Sequence, residues 1–223
     1  MTAALTDSKT EKVAAIIERI HPSKIEKLLV VGCGSGLEAA ILAERLRAKV
    51  VGIDIEDRFD ERARQLADLQ TGDAMNLDFA DATFDFVFSY HALEHIENPL
   101  RALREMRRAL RAGGGFWIGT PNKSRLVGYV GGKNTSLREK IKWNLEDYRR
   151  RLKGEFENAL GAHAGFTEDE LKRLLGEVFP LVESRTKEYF ATVYAGRPKL
   201  LNLVERSGLA RFIYPSVYFS GAR

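Results

Sequence analysis

Three glycines at alternate positions, Gly32, Gly34 and Gly36, have a spacing that indicates ligand chemistry. They follow the apolar run 28–31, which is typical of a buried parallel strand. Glycine adopts backbone angles closed to other residues and leaves no side chain between the backbone and a bound molecule. A helical pattern over 37–46 follows, so the loop presents amides and a helix N-terminus. We expect it to bind an anionic group such as a carboxylate or phosphate; the alternative is a turn that serves only tight packing.

A carboxylate at Asp54 adds a second group that could bind the same ligand. Asp54 ends the apolar run 49–54 and lies 18 residues beyond Gly36. A carboxylate near this spacing can reach the ribose hydroxyls of a nucleotide bound at the first strand's loop. The other interpretation is that Asp54 only caps the next helix. A dinucleotide fingerprint would need a glycine at position 37, where this chain has Leu37, so a nicotinamide-dependent oxidoreductase is disfavoured.

The composition is ordinary for a globular protein. The 223 residues are 44% hydrophobic and 30% charged, with a formal net charge of +4, and this length fits a single domain over 1–223. The only cysteine, Cys33, excludes an internal disulfide, and we expect it to be a small buried filler. No apolar run reaches the roughly 20 residues of a membrane span, and residues 1–9 lack the order of a signal peptide. These features predict a cytoplasmic protein.

Strand and helix patterns alternate along most of the chain. A capping box at 8–11 begins a helix that should end near His21 and Pro22. Strands are predicted over 28–31, 49–54, 68–73, 84–89, 116–119, 181–190 and 216–219. Further helices are predicted over 37–46, 57–66, from Pro99 to the glycines at 113–115, over 167–178 and over 198–206. This order predicts an α/β fold with a Rossmann-like, doubly wound, mostly parallel seven-stranded sheet and helices on both faces.

The segment 122–165 interrupts the alternation, and we interpret it as a cap inserted over the carboxyl ends of the strands. Residues 122–153 carry ten lysines or arginines and three acidic residues. Glycines at 128, 131 and 132 make the first part loop-like, whereas 137–152 is helical, with Ile141, Leu145, Tyr148 and Leu152 on one face. The positive charge favours a ligand that bears a carboxylate or phosphate, including a glycan or lipid intermediate. The alternative is a solvated helix that is rich in basic residues.

Six short motifs occur in an order that resembles the class I S-adenosylmethionine-dependent methyltransferases, and specifically their small-molecule, type 11-like branch. They lie at 30–36, 52–54, 72–74, 84–87, 93–95 and 113–115. The resemblance covers about 26–122, and the end of the chain from His163 is also similar. One departure is Val30, where many relatives carry an acid that orients the methionine amino group of the cofactor.

The resemblance implies S-adenosyl-L-methionine as cofactor and assigns roles to several residues. The loop of Gly32, Gly34, Ser35 and Gly36 would wrap its methionine part. Asp54 would hold the ribose hydroxyls, Ile55 would pack on the adenine, and Asp73 with Ala74 would contact the adenine edge. Ser89, Tyr90 and His91 would line the place where methyl donor and acceptor meet.

Methyl transfer chiefly requires an aligned acceptor and exclusion of water. For a hydroxyl acceptor, a positioned base adds roughly 10²- to 10⁴-fold. His91 is the first candidate for the base and His163 the second. We expect His95 to cap or pack within its turn. A metal bound by His91 and His95 would need a third ligand, and the sequence indicates none nearby.

We therefore predict methyl transfer to a small or medium metabolite, at oxygen rather than at nitrogen or carbon. The alternatives are a nucleic-acid methyltransferase and a non-catalytic cofactor-binding protein. Nucleic acid is disfavoured as a partner because residues 89–92 lack the motif of base amino-group methyltransferases and the chain has no appended RNA-binding module. The sequence does not indicate an oligomeric state.

Overall fold

A computed structural model describes residues 5–21, 23–129 and 135–223. Pro22, predicted to end the first helix, and the glycines at 131 and 132, predicted to form a loop, lie outside these residues. The strands are β1 Lys27–Val31, β2 Lys49–Asp54, β3 Asp68–Thr71, β4 Phe84–Tyr90, β5 Leu110–Pro121, β6 Leu181–Ser184 and β7 Ser216–Ala222. The helices are α1 Ser8–Ile20, α2 Leu37–Leu46, α3 Glu61–Arg64, α4 Pro99–Ala109, α5 Leu137–Leu152, α6 Glu168–Gly176, α7 Thr186–Val193, α8 Pro198–Arg206 and α9 Ala210–Ile213, with short 3₁₀ turns at Leu93–His95 and Asn158–Leu160.

The strands form one seven-stranded sheet in the order β3-β2-β1-β4-β5-β7-β6. Strands β1 to β5 pair in parallel, and β7 runs antiparallel between β5 and β6. The chain passes from β1 to β2 and β3 on one side, then crosses to β4 on the other side of β1. Ligands of doubly wound sheets bind at such a switch point, beyond the carboxyl ends of the strands. Here it places the glycine loop next to the end of β4.

The two faces of the sheet are covered by different helices. One apolar layer joins α1, α2 and α7 to strand residues such as Val30, Phe88 and Tyr218. The other joins α4 and α6 to Val31, Val87 and neighbouring strand residues. Successive strand side chains point to opposite faces, so every strand in the middle of the sheet contributes to both layers. The predicted fold class is confirmed.

Three predicted boundaries are wrong, each for a reason that the structure shows. The strand predicted over 181–190 ends at Ser184, and α7 begins at Thr186. Thr186, Tyr189 and Phe190 are buried at helical spacing, so the aromatic pair belongs to a helix face. The helix predicted to reach the glycines at 113–115 ends at Ala109, and these glycines lie within β5. The helix predicted over 57–66 is shorter and covers only Glu61–Arg64.

Helix α5 has the predicted range 137–152, and a capping box of Ser136 and Glu139 fixes its start. A buried ion pair attaches the helix to the preceding loop, since the Arg125 guanidinium lies 3.1 Å from the carboxylate of Asp147. Arg125 also donates to the carbonyls of Asn122 and Ala164. Buried side chains therefore join α5 to the loop that directly follows β5.

Candidate active site

The glycine loop is held by hydrogen bonds to the end of β2. The amides of Gly32 and Cys33 both donate to the Ile53 carbonyl at 2.9 Å. The amide of Gly34 donates to Asp54 Oδ2 at 2.8 Å. The loop and the carboxylate that the sequence indicated as two parts of one site are therefore joined directly.

Gly34 and Gly36 both have positive φ angles but face different surroundings. At Gly34, with φ +53°, a Cβ would have no neighbouring atom within 4 Å. At Gly36, with φ +84°, a Cβ would lie 2.3 Å from Leu69 Cδ1. Gly34 therefore leaves space for a ligand, whereas Gly36 permits tight packing of α2 against β3.

A cavity of about 880 Å³ lies over this loop, at the carboxyl ends of β1, β2 and β3. We call it the loop cavity. Seven of the predicted cofactor residues line it: Gly32, Gly34, Ser35, Asp54, Ile55, Asp73 and Ala74. Its size suits a nucleotide-sized ligand, since small-molecule sites have volumes of roughly 300–1,000 Å³.

A second cavity, of about 700 Å³, lies beside the first and is enclosed largely by rings. We call it the aromatic cavity. Its aromatic lining comes from β4, the cap, α7 and β7 and comprises Tyr90, Tyr129, Trp143, Tyr189, Phe190, Tyr194 and Tyr218. Ionisable side chains, including Lys9, Glu94 and Arg125, complete the wall. This cavity can hold an apolar molecule and offer polar groups to one part of it.

Three histidines, His91, His95 and His163, line both cavities. His95 and His163 come from distant parts of the chain, yet their ring centroids lie 4.5 Å apart in an edge-on arrangement. The structure therefore brings both predicted candidate bases, His91 and His163, to the boundary between the two cavities. That boundary is where reacting groups bound on the two sides would meet.

Glu94 lies between the histidines and was not singled out from the sequence. Its Oε1 is 3.9 Å from both His91 Nδ1 and His95 Nε2. Its side chain is only 1% exposed, and among the described residues its Oε2 has no hydrogen-bond partner. Burial raises the pKa of Glu94 to about 7. The sequence signal that could have indicated Glu94 is its position between two histidines, three residues after His91 and directly before His95.

His91 occupies a constrained position directly after β4. Its φ is +53°, and its amide donates to the Gly119 carbonyl at 2.8 Å. Its Nε2 lies 3.3 Å from the Ser216 hydroxyl. Burial, with smaller contributions from the positive charges of Lys9 and Arg125, holds the pKa of His91 well below its usual value. The ring is therefore neutral at pH 7.

Tyr90 belongs to a cluster of three tyrosines and lines the aromatic cavity rather than the loop cavity. Its hydroxyl lies 3.4 Å from that of Tyr189 and 3.3 Å from that of Tyr218. Burial raises the pKa of Tyr90 and of Tyr218 well above the usual value. These tyrosines therefore offer neutral hydroxyl groups, which both donate and accept hydrogen bonds.

Ser89 and Gly36 line neither cavity. Ser89 is fully buried, and alternation along β4 points it to the face opposite Phe88 and Tyr90. Gly36 is turned towards Leu69, as described above. The wall of neither cavity therefore includes Gly36, which was predicted to contact the cofactor, or Ser89, which was predicted to line the place where donor and acceptor meet.

The described residues were also compared with the requirements of a metal site and of a membrane-spanning helix. Across 5–21, 23–129 and 135–223, no set of three or more histidine, cysteine, aspartate or glutamate side chains is arranged to hold a metal ion. Within the same ranges, every helix is too short or too polar to cross a bilayer.

Comparison with known proteins shows that part of the chain is similar to methyltransferases. Residues 29–118 match the family described as methyltransferase domain. Over 119 residues, the chain is 34% identical to the methyltransferase GfsG of Streptomyces halstedii, covering 49% of this chain and 43% of that protein. Over 103 residues, it is 33% identical to the 27-O-demethylrifamycin SV methyltransferase of Amycolatopsis mediterranei, covering 42% and 38%. The chain spans less than half the length of these curated relatives.

Solved structures show the same fold. Phosphoethanolamine N-methyltransferase 2 of Haemonchus contortus, in complex with S-adenosyl-L-methionine, has a TM-score of 0.61 at 18% identity, covering 96% of this chain and 52% of that chain. A protein of Galdieria sulphuraria that is provisionally assigned as a sarcosine dimethylglycine methyltransferase has a TM-score of 0.57 at 18% identity. The match covers 96% of this chain and 84% of that chain. At 18% identity both structures show a shared fold alone, and the match to the methyltransferase domain family covers residues 29–118.

Proposed function

We propose that this chain transfers a methyl group from S-adenosylmethionine to a hydroxyl oxygen of a small or medium metabolite. One observation carries the proposal: two cavities of different character meet at His91, and the buried carboxylate of Glu94 lies behind it. The cofactor supplies an electrophilic methyl group on a sulfonium sulfur. The protein must hold the acceptor oxygen in line with that group and keep water away.

The loop cavity has the features that the cofactor requires. The open space at Gly34 admits the methionine part close to the backbone. Asp54 would accept hydrogen bonds from the ribose hydroxyls, and Asp73 with Ala74 would contact the adenine edge. Ile55 is 72% exposed, so its side chain is available to pack on the adenine.

Glu94 and His91 would manage the proton that a hydroxyl loses on methylation. Glu94 lines the aromatic cavity, and its buried Oε2 has no hydrogen-bond partner among the described residues. Because the pKa of Glu94 is about 7, its carboxylate is the stronger candidate for the general base. His91 is neutral at pH 7 and would accept a hydrogen bond from the acceptor hydroxyl or relay its proton to Glu94. His163, whose ring packs edge-on against that of His95, would exclude water from the boundary.

The aromatic cavity favours an acceptor with an apolar, ring-bearing body. Rings form most of its wall, and aromatic side chains stack against other rings in offset or edge-on arrangements. An acidic group on the acceptor would be drawn towards Lys9 and Arg125, which line the same cavity. Arg149, by contrast, is 68% exposed and lines neither cavity, so the positive charge of the outer cap has no role in acceptor binding in this proposal.

Several relatives support oxygen as the methylated atom. Besides the rifamycin enzyme, the chain is 36% identical over 104 residues to O-methyltransferase cnsE of Penicillium expansum, covering 43% of this chain and 38% of that protein. These names support the reaction type and leave the acceptor to be found by experiment.

The test is a methyl-transfer assay with radiolabelled S-adenosylmethionine and a panel of acceptors. The panel contains phenols with and without a carboxylate, primary and secondary amines, and DNA and RNA oligonucleotides. We expect a methyl ether from at least one phenol, and a large loss of turnover in Glu94→Gln but not in the control Glu44→Gln. Methylation only of amines or nucleic acid would overturn the proposal, as would cofactor binding without transfer to any acceptor.

A further inference from the structure

Helix α5 presents its apolar residues outwards. Five large side chains recur at intervals of four, four, three and four residues, which places them on one stripe of the helix. Their exposed fractions are 74% for Leu137, 52% for Ile141, 64% for Leu145, 41% for Tyr148 and 91% for Leu152. A helix that covers a domain normally buries such a stripe against the core.

Polar side chains instead form the inward face of α5. Asn144 exchanges hydrogen bonds with the backbone of Gly128 in both directions. Asp147 pairs with Arg125, and Arg151 donates to the carbonyls of Lys123 and Arg125. These contacts fix the rotation of the helix, so the apolar stripe cannot turn inwards without breaking a buried ion pair.

A row of positive charges runs parallel to the apolar stripe. Arg138, Lys142, Arg149 and Lys153 each directly follow a stripe residue, and all four are exposed. One residue along an α-helix is a rotation of about 100°, so this row borders the stripe on one side. The exposed acids of α5 are Glu139 and Glu146, whereas its third acid, Asp147, is buried and paired.

The apolar surface extends beyond α5. The Tyr148 hydroxyl donates to the Leu126 carbonyl, and the Leu126 amide donates to the Phe212 carbonyl of α9. Leu126 is 55% exposed and Ile213, on α9, is 44% exposed. Exposed apolar surfaces that exceed a few hundred Å² mark interaction sites. We call the stripe, the basic row and Leu126 together the cap face.

We infer that the cap face binds the surface of an anionic lipid bilayer. An outward apolar stripe bordered by lysine and arginine is the pattern of helices that lie in a membrane interface, with basic side chains reaching anionic headgroups. Charge complementarity favours this occupant over a second copy of the chain, because paired copies would bring their basic rows together. Trp143 of the same helix lines the aromatic cavity, so the helix that would dock also forms part of the wall of that cavity.

Vesicle flotation tests this inference without any methyl acceptor. The full chain is mixed with vesicles of phosphatidylglycerol and phosphatidylcholine, or of phosphatidylcholine alone, in low and high salt. We expect partitioning into the anionic vesicles to exceed that into neutral vesicles at least tenfold and to weaken in high salt. In the stripe variant Leu145→Asp with Leu152→Asp, binding should fall at least tenfold.

Leu200→Asp with Leu203→Asp on α8 is the matched control, because both leucines are exposed and the net charge changes equally. A second test variant replaces the basic row by glutamine. Melting temperature and cofactor binding verify that each variant folds. Three results would overturn the inference: no binding of the wild type to anionic vesicles, equal losses in the stripe and control variants, or a wild-type dimer that the stripe variant converts to monomer.

Discussion

The amide of Gly34 donates to Asp54 Oδ2 at 2.8 Å, which joins the two residues that the sequence indicated as separate contacts of one ligand. The bond orders the loop after β1 by means of the strand beside it. Because this bond forms without a ligand, the site is largely pre-formed. A substitution in it can therefore weaken ligand binding while the protein stays folded.

The glycines of the loop give the first such separation. In Gly34→Ala we expect a loss of about 1 kcal/mol in stability from the left-handed backbone, and at least tenfold weaker binding of S-adenosylhomocysteine because the methyl group enters the cavity. Gly208→Ala is the control, since Gly208 also has a positive φ and open surroundings. Titration calorimetry and thermal unfolding measure the two effects. Equal ligand affinity in Gly34→Ala and Gly208→Ala would contradict this role.

Glu94 should make stability depend on pH. Its pKa is raised to about 7, whereas in an unfolded chain it is about 4.3. Between these values the native state retains a proton that the unfolded state releases, so this contribution to stability falls as pH rises and is lowest above pH 7.

Glu94→Gln, which does not ionise, should therefore be more stable than wild type at pH 8, by an amount on the order of 2 kcal/mol. At pH 4.5 the difference should largely disappear. Denaturant unfolding at both pH values measures it, with Glu44→Gln as the exposed control. A gain that is the same at both pH values would mean that burial of the charge is not the cause.

His91 should stay neutral well below the pH at which a free histidine becomes protonated. Burial and the nearby charges of Lys9 and Arg125 disfavour the imidazolium. The proton resonance of the His91 ring should show a titration midpoint below 6.5. His91→Asn identifies the signal and suits the position, because asparagine tolerates the φ of +53°. A midpoint at or above 6.5 would show that the surroundings of His91 do not lower its pKa.

The buried pair of Arg125 and Asp147 should be important for attachment of the cap. Removing Arg125 alone leaves the buried Asp147 carboxylate without its cationic partner and removes the guanidinium donor of the Ala164 and His163 carbonyls. Arg125→Met should therefore cost about 3 to 5 kcal/mol. The double variant Arg125→Met with Asp147→Leu should recover part of this loss. Arg149→Met, at an exposed pair with Glu146, should change stability by less than about 1 kcal/mol. Denaturant unfolding measures the free energy of unfolding of each variant. If the loss in the double variant equals the sum of the losses in the single variants, the two residues are not coupled.

Local sequence patterns predicted much of the fold because they depend on neighbouring residues. Apolar runs, the glycine loop and the helical spacing of apolar residues over 137–152 were sufficient for β1, β2, α2 and the range of α5. The same patterns did not show that α5 turns its apolar stripe outwards. That orientation depends on contacts of Asn144 and Asp147 with the loop before the helix.

The site shows the same division. Asp54 ends β2 and Gly34 lies in the loop after β1, and the spacing of 18 residues between Gly36 and Asp54 predicted that they would contact the same ligand. Glu94 was missed because its role depends on the burial of its side chain in the fold, which the neighbouring residues in the sequence do not indicate. The cluster around Tyr90 likewise depends on how α7 and β7 pack against β4. Ser89 was placed at the reacting groups, although alternation along β4 points it the other way.

The measurement that tests the central claim most directly is a calorimetric titration of the wild-type chain with S-adenosylhomocysteine. We predict one bound equivalent per chain, with at least tenfold weaker binding in Asp54→Ala and unchanged binding in the control Asp57→Ala. Thermal unfolding of all three proteins shows that they are folded. No binding to the wild type, or equal binding to all three, would contradict a cofactor held in the loop cavity by Asp54.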